Sequence, residues 1–178
     1  MAAKAIETQA ESSGGTETVQ RNKTSTIQVV EFVLGKENFA IDLFDVKEVV
    51  EYTTITHLPN VPAYLKGIID LRGEITTIVD LKLRLNIPAD VQVAAESSRI
   101  IVLDDKITKS KIGILVDDVT SVSTFEGNHV DYTSASVSKE DTAIIGIIKR
   151  KVKVKDKEKN ELIIWIDIKQ LLDGISSE

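Results

Sequence analysis

Side chains branched at Cβ dominate this chain and confine it to a sheet-rich fold. Val (19), Ile (23) and Thr (15) make up 57 of its 178 residues, whereas aromatic residues supply only 4%. Such side chains lose rotamer freedom in helices and pack well on pleated sheets. They fall in short runs broken by Gly, Asp, Asn and Lys, as strands joined by turns do. At 42% apolar residues there is enough material for a core, so wholesale disorder is excluded. The absence of cysteine rules out a disulfide scaffold, a thiolate zinc site and a cysteine nucleophile. The two histidines, His57 and His129, leave little for a metal centre or a catalytic triad. A net charge of −6 argues against a general nucleic-acid binder. No apolar run approaches the ~20 residues of a membrane helix. The opening MAAKAIETQAESSGG lacks the apolar stretch of a signal peptide. The expectation is a cytoplasmic protein without direct membrane insertion.

Residues 1–26 hold few large apolar groups and read as a loose tail, disordered because they bury too little to offset ordering. From Ile27 the pattern changes. Ile27–Leu34 and Phe39–Leu43 read as a hairpin around Gly35-Lys36-Glu37-Asn38. Asp45 is placed to cap a helical turn over Val46–Val50. Pro59 and Pro62 mark a corner, since each lacks a backbone donor. Arg72-Gly73 reads as a hairpin tip, and Asp80 as the cap of a short helix over Leu81–Leu85. Residues 89–98 form a polar connector. Arg99–Leu103 and Lys111–Val116 make a second hairpin, which Asp118–Val122 continues. Residues 123–142 look irregular. Ile144–Ile148 and Leu162–Ile166 are strands, and Asp167 caps a last helix closed by Gly174.

The two halves echo each other in order. Ile41–Val46 recurs as Ile114–Val119, 73 residues on; Gly67–Asp70 recurs as Gly146–Lys149; and Ile78–Lys82 recurs as Trp165–Lys169, 87 residues on. A duplication predicts two small barrels of about five strands each, packed side by side. The boundary is expected near 88–98, with a first lobe over 27–88, a second over 97–173, and exchange of strands between them allowed.

Catalytic templates fail. The nine glycines form neither GxGxxG nor GxxxxGK[ST], and GxSxG and HExxH are absent. Asp104-Asp105 and Asp117-Asp118 are adjacent pairs that point to opposite faces of a strand, so they read as turn residues rather than cation ligands. No catalytic residue, metal site or cofactor is expected. One charged feature stands out. Lys149–Lys159 holds seven basic and two acidic residues, leaving 15 basic against 26 acidic residues, or −11, on the rest. Its alternation suits an extended hairpin arm. It reads either as an exposed edge that lysines keep from self-pairing or as a docking element for an acidic partner, anionic lipid or nucleic acid. No aromatic platform for bases is interleaved.

The stretch Pro59–Leu83 carries an arginine at a turn between apolar strands. Pro59–Ile75 fits P-x-x-P-x-x-h-x-G-h-h-x-L-R-G-x-h, and I-V-D-L follows as Ile78–Leu81. F-x-L-G-x-x-x-F-x-I-D runs from Phe32 to Asp42, and G-I-h-V-D-x-V from Gly113 to Val119. In these motifs the chain resembles the CheW coupling proteins of chemotaxis, over roughly Ile27–Leu172. It departs in the lysine-rich insert and at Thr77, where the family usually has proline.

The resemblance implies a mainly β fold, a single CheW-like domain over 27–173 made of two SH3-like five-stranded barrels with short helices. It implies a non-catalytic adaptor that couples the cytoplasmic tips of methyl-accepting chemoreceptors to the histidine kinase CheA, in receptor arrays at the inner face of the membrane. By position in the motif, Arg72, Gly67 and Gly73 lie toward the receptor. Val30, Leu43 and Val46, with Glu48, lie toward the regulatory domain of the kinase. The competing reading is a nucleic-acid-binding small barrel using the basic arm 149–159, which the acidic body and scarce aromatics disfavour.

Overall fold

Alternating runs of β-branched residues become eleven strands among the described residues, which in this computed structural model are 25–88, 94–133 and 143–175. They are β1 (Thr26–Leu34), β2 (Glu37–Asp42), β3 (Val46–Glu51), β4 (Leu65–Leu71), β5 (Glu74–Asp80), β6 (Arg99–Leu103), β7 (Ile112–Val116), β8 (Asp118–Glu126), β9 (Val130–Asp131), β10 (Ile144–Val154) and β11 (Lys157–Ile166). Two short helices follow β5 and β11: α1 (Leu81–Arg84) and α2 (Ile168–Leu172). The Asp80 carboxylate accepts from the Leu83 amide, and that of Asp167 accepts from the Lys169 and Gln170 amides, so both caps lie where the sequence puts them. All but the last two residues of the expected 1–26 tail lie outside the described residues. Thr26 already pairs, opening β1 against β8.

Two sheets result. The order is β8-β1-β2-β11-β10-β9 in one and β3-β6-β7-β5-β4 in the other. Each closes on itself. Beyond β3 the chain returns to the far edge of its sheet, where Thr56 and Ile68 exchange backbone hydrogen bonds of 2.9 Å. Beyond β8 a 3-10 turn at Gly127–His129 leads into β9, which pairs with β10 at the far edge of the other sheet.

Successive residues point to opposite faces of a strand, and here both faces are buried. Ile78, Ile100 and Ile69 fill the five-stranded barrel; Val29, Ile163 and Trp165 fill the six-stranded one. Their neighbours Val79, Ile101, Val30 and Ile166 turn outward into a larger core between the barrels, with Phe32, Ile41, Leu103 and Ile114. This accounts for the continuous Ile/Val runs, which half-buried strands would not need.

Three expectations change. Val46–Val50 is strand, not helical turn: the cap is Asp42, which accepts from the Phe44 amide and starts a single 3-10 turn over Leu43–Asp45. Asp45 is instead buried and bound by Lys169 at 3.1 Å. Residues 123–126 extend β8 against β1 rather than forming a loop, whereas 134–142 lie outside the described residues. The barrels are also not divided at one point near 88–98. One takes β1 and β2 with β8–β11; the other takes β3–β7. The chain crosses at Leu43–Asp45 and again at Asp117, so each sequence half lends strands to both barrels.

Candidate functional site

The expected receptor-facing arginine sits where backbone chemistry holds it rigidly. Arg72 and Gly73 form the two-residue turn between β4 and β5, with φ of 54° and 84°. Both values belong to the turn whose twist matches the flanking strands. The Asp70 carboxylate accepts from the Gly73 amide at 2.7 Å and secures it. From this tip the Arg72 guanidinium reaches across the barrel mouth to Glu48 on β3, the opposite edge strand, in a two-pronged pair of 3.1 and 2.9 Å. The arginine side chain is 74% exposed and that of Glu48 24%. An exposed pair of this kind contributes only about 0.2–1 kcal/mol, so a partner carboxylate can replace Glu48 at little cost.

Further charges ring the mouth in alternation. Lys111 binds Glu74, and Lys47 lies 3.6 Å from Asp105. The hydrogen bond from Lys111 holds the Glu74 carboxyl below the usual carboxylate range, and the same bond raises Lys111. Leu71, Thr76 and Val102 help line a small cavity of about 60 Å³ between them. The structure thus joins Arg72 with Glu48, residues that the family resemblance assigns to different partners.

A second exposed feature lies at the first crossover. Phe44, in the 3-10 turn, is 78% exposed. Leu43 and Val46 beside it are half-buried against the core between the barrels. Burial pushes Asp45 above ordinary carboxylate values, against the opposing hydrogen bond from Lys169. Sequence reasoning passed over Phe44. The available signal was a large apolar side chain in a turn bracketed by Asp42 and Asp45, where no strand alternation draws it inward.

Two expected contact residues are interior. Val30 is 1% exposed and belongs to the core between the barrels, because β1 is covered on both faces. It offers no surface to a kinase. Gly67 is buried on β4 with φ of 143°, and a Cβ there would stand 2.1 Å from the Thr56 carbonyl oxygen. Its lack of a side chain serves barrel closure. Gly73, by contrast, is exposed at the turn with open space around it.

Among the described residues no cluster of three or more His, Asp or Glu side chains is placed to hold a metal ion, and no helix is long and apolar enough to cross a membrane. What the geometry exposes is a charged barrel mouth bearing a rigid arginine, and a phenylalanine at the crossover.

Comparison with known proteins agrees with this architecture. Residues 28–176 match the family model of the CheW-like domain. The chain is 32% identical to a chemotaxis protein CheW of Bacillus subtilis over 157 residues, covering 88% of this chain and 92% of that protein. It is 30% identical to that of Thermotoga maritima over 149 residues, covering 84% and 89%. Among solved structures it superposes on the scaffolding protein TtCheW of Thermoanaerobacter tengcongensis with a TM-score of 0.68 at 34% identity, covering 86% of this chain and 97% of that one. With matched motifs, paired barrels and near full-length relatives in agreement, the chain belongs to the CheW-like domain family.

Proposed function

We propose that the protein is a non-catalytic scaffold of chemotaxis signalling, joining the cytoplasmic tip of a methyl-accepting chemoreceptor to the regulatory domain of the histidine kinase CheA within receptor arrays. The observation that carries this reading is Arg72, held on a rigid turn and engaged, among the described residues, by an exposed, exchangeable pair with Glu48. Planar guanidinium donors suit a carboxylate on a receptor helix. Gly73 lets the tip approach a partner closely, and Glu48 positions the arginine. Leu43, Phe44 and Val46 supply the apolar contact to the kinase.

The test is a reconstituted receptor–kinase assay. Arg72→Glu keeps the circular dichroism spectrum of the parent but loses about tenfold or more of receptor-dependent kinase activation, in line with a charged hot spot of roughly 2 kcal/mol. Full activation by the folded variant rejects the assignment. For the kinase face, Phe44→Ser leaves stability within about 0.5 kcal/mol, as an exposed substitution should, and weakens capture of the kinase regulatory domain. Unchanged capture removes Phe44 from that face.

A further inference from the structure

The basic arm has no part in the scaffold reading above, and it lies on the other barrel from Arg72. Here β10 and β11 run past their neighbours. β2 pairs with β11 only over Ile163–Trp165, and β9 pairs with β10 only at Ile147 and Ile148. Beyond those contacts the two strands pair, among the described residues, only with each other, out to a turn at Lys155-Asp156 where both residues take left-handed φ of 49° and 61°. Six residues per strand, at ~3.4 Å each, carry the tip about 20 Å outward. That is roughly two Debye lengths at physiological salt, so repulsion of an anionic partner by the acidic body is largely screened at the tip.

The ribbon is fixed at its root. The Arg150 guanidinium donates to both Glu31 oxygens at 2.8 and 3.0 Å and to Glu161 at 2.8 and 2.6 Å. Its Cζ stands 5.9 Å from the centre of the Phe125 ring. Glu31 is only 2% exposed, so the anchor reaches into the barrel wall. Lys149 pairs with Asp131 at 2.9 Å. Further out, Lys151, Lys153, Lys155, Lys157 and Lys159 are all exposed, and none has an ion pair among the described residues.

One edge of the ribbon is open beside a groove. Where β9 gives way to the Gly127–His129 turn, β10 continues from Lys149 to Val154 with no strand paired on that side among the described residues. The space left is a groove of about 1230 Å³ bordered by Phe125, Asn128, His129, Lys149, Lys151 and Asn160. Unpaired backbone groups on a strand edge accept an added strand, and alternate side chains then select it. Along β10, Lys149, Lys151 and Lys153 share one face, while Val152 and Val154 share the other.

We propose that this edge of β10 receives an extended segment of a partner protein in which acidic residues alternate with aliphatic ones, added as a strand in continuation of β9. Its carboxylates meet Lys151 and Lys153, and its aliphatic side chains meet Val152 and Val154. Edge protection by lysine needs neither a buried anchor nor a groove beside the edge. An anionic bilayer fits less well, since the ribbon exposes two large apolar side chains, Val154 near its tip and Leu162 at its root, and no aromatic residue is there to enter the headgroup layer. Nucleic acid fits less well because no ring on the arm offers a stacking surface, and its one arginine is already bound.

The experiment is fluorescence anisotropy of a labelled (Glu-Val)n-Glu peptide with the full chain at physiological salt. The expected result is saturable binding that the double variant Lys151→Glu/Lys153→Glu weakens about tenfold or more. Lys109→Glu, exposed in the β6–β7 loop of the other barrel, leaves it unchanged. A peptide N-methylated at alternate residues, which keeps the charge but cannot complete a backbone ladder, loses binding as well. Any of four results overturns the proposal: no binding of the parent peptide, undiminished binding by the double variant, equal binding of the N-methylated peptide, or tighter binding of anionic vesicles or single-stranded DNA. Because Arg72 is untouched, receptor-dependent activation reports separately on the scaffold reading.

Discussion

Arg72 occupies the left-handed backbone region, uncommon for a residue with a side chain, yet the turn demands it at both central positions. The hairpin tip was legible because Arg-Gly between two apolar runs has few other uses. Gly67 was legible as a motif position but not as a role. Only the return of Thr56 to the β4 edge shows that its missing side chain makes room for a carbonyl. The two glycines therefore separate under substitution. Gly67→Ala adds strain and a backbone clash together and costs about 2–5 kcal/mol. Gly73→Ala meets open space and costs about 1 kcal/mol, from its φ alone. Urea unfolding distinguishes them; equal losses would refute the clash. Receptor coupling lost in a Gly67 variant then reports folding, whereas loss in a folded Gly73 variant reports contact.

At the scale of elements, the echo between halves is carried into three dimensions. β5 runs parallel to β7 with Ile78 opposite Gly113, and β11 runs parallel to β2 with Trp165 opposite Ala40. The separations are the same 87 and 73 residues that the sequence shows. Both repeats slip register beside their glycine, at Leu65/Gly67 and at Ile144/Gly146. Both also tie the capping aspartate back across the hairpin, Asp80 to Tyr64 and Asp167 to Ala143, each at 2.7 Å. The closures differ, because β9 is held by charge. Hydrogen bonds from Thr133, and then the pair with Lys149, pull the Asp131 carboxyl down from 3.8 to about 2. A carboxyl depressed on folding contributes stability that is present above its unfolded value and lost as pH falls through its folded one. The gap in urea midpoint between the parent and Asp131→Asn is thus largest above about pH 4 and closes as pH falls through about 2. A gap independent of pH would show that the charge of Asp131 holds nothing.

For the whole molecule, exchange of strands makes two barrels into one folding unit. The core between them draws on both, with Phe32 and Ile41 from one side and Ile101 and Ile114 from the other, and the chain crosses twice. Trp165, the single tryptophan, reports on the six-stranded barrel. Ile78→Ala, in the interior of the five-stranded barrel, costs about 2–5 kcal/mol and shifts the Trp165 fluorescence midpoint in step with circular dichroism. A tryptophan transition left in place while the other barrel melts would show two independent units. Outside the crossover at Leu43–Val50, strand content, the Asp80 and Asp167 caps, turn chemistry and the order of the repeat are local matters, decided by φ preferences, capping side chains and alternation within a few residues of each other; the amino-acid sequence alone determined them. Which apolar face lines a barrel and which joins the two, that Val30 is interior while Phe44 is exposed, and that Arg72 meets Glu48 were decided by the tertiary structure alone. The reason is physical: a strand with two apolar faces carries no mark of which face turns inward until the chain has crossed between the sheets and both are buried.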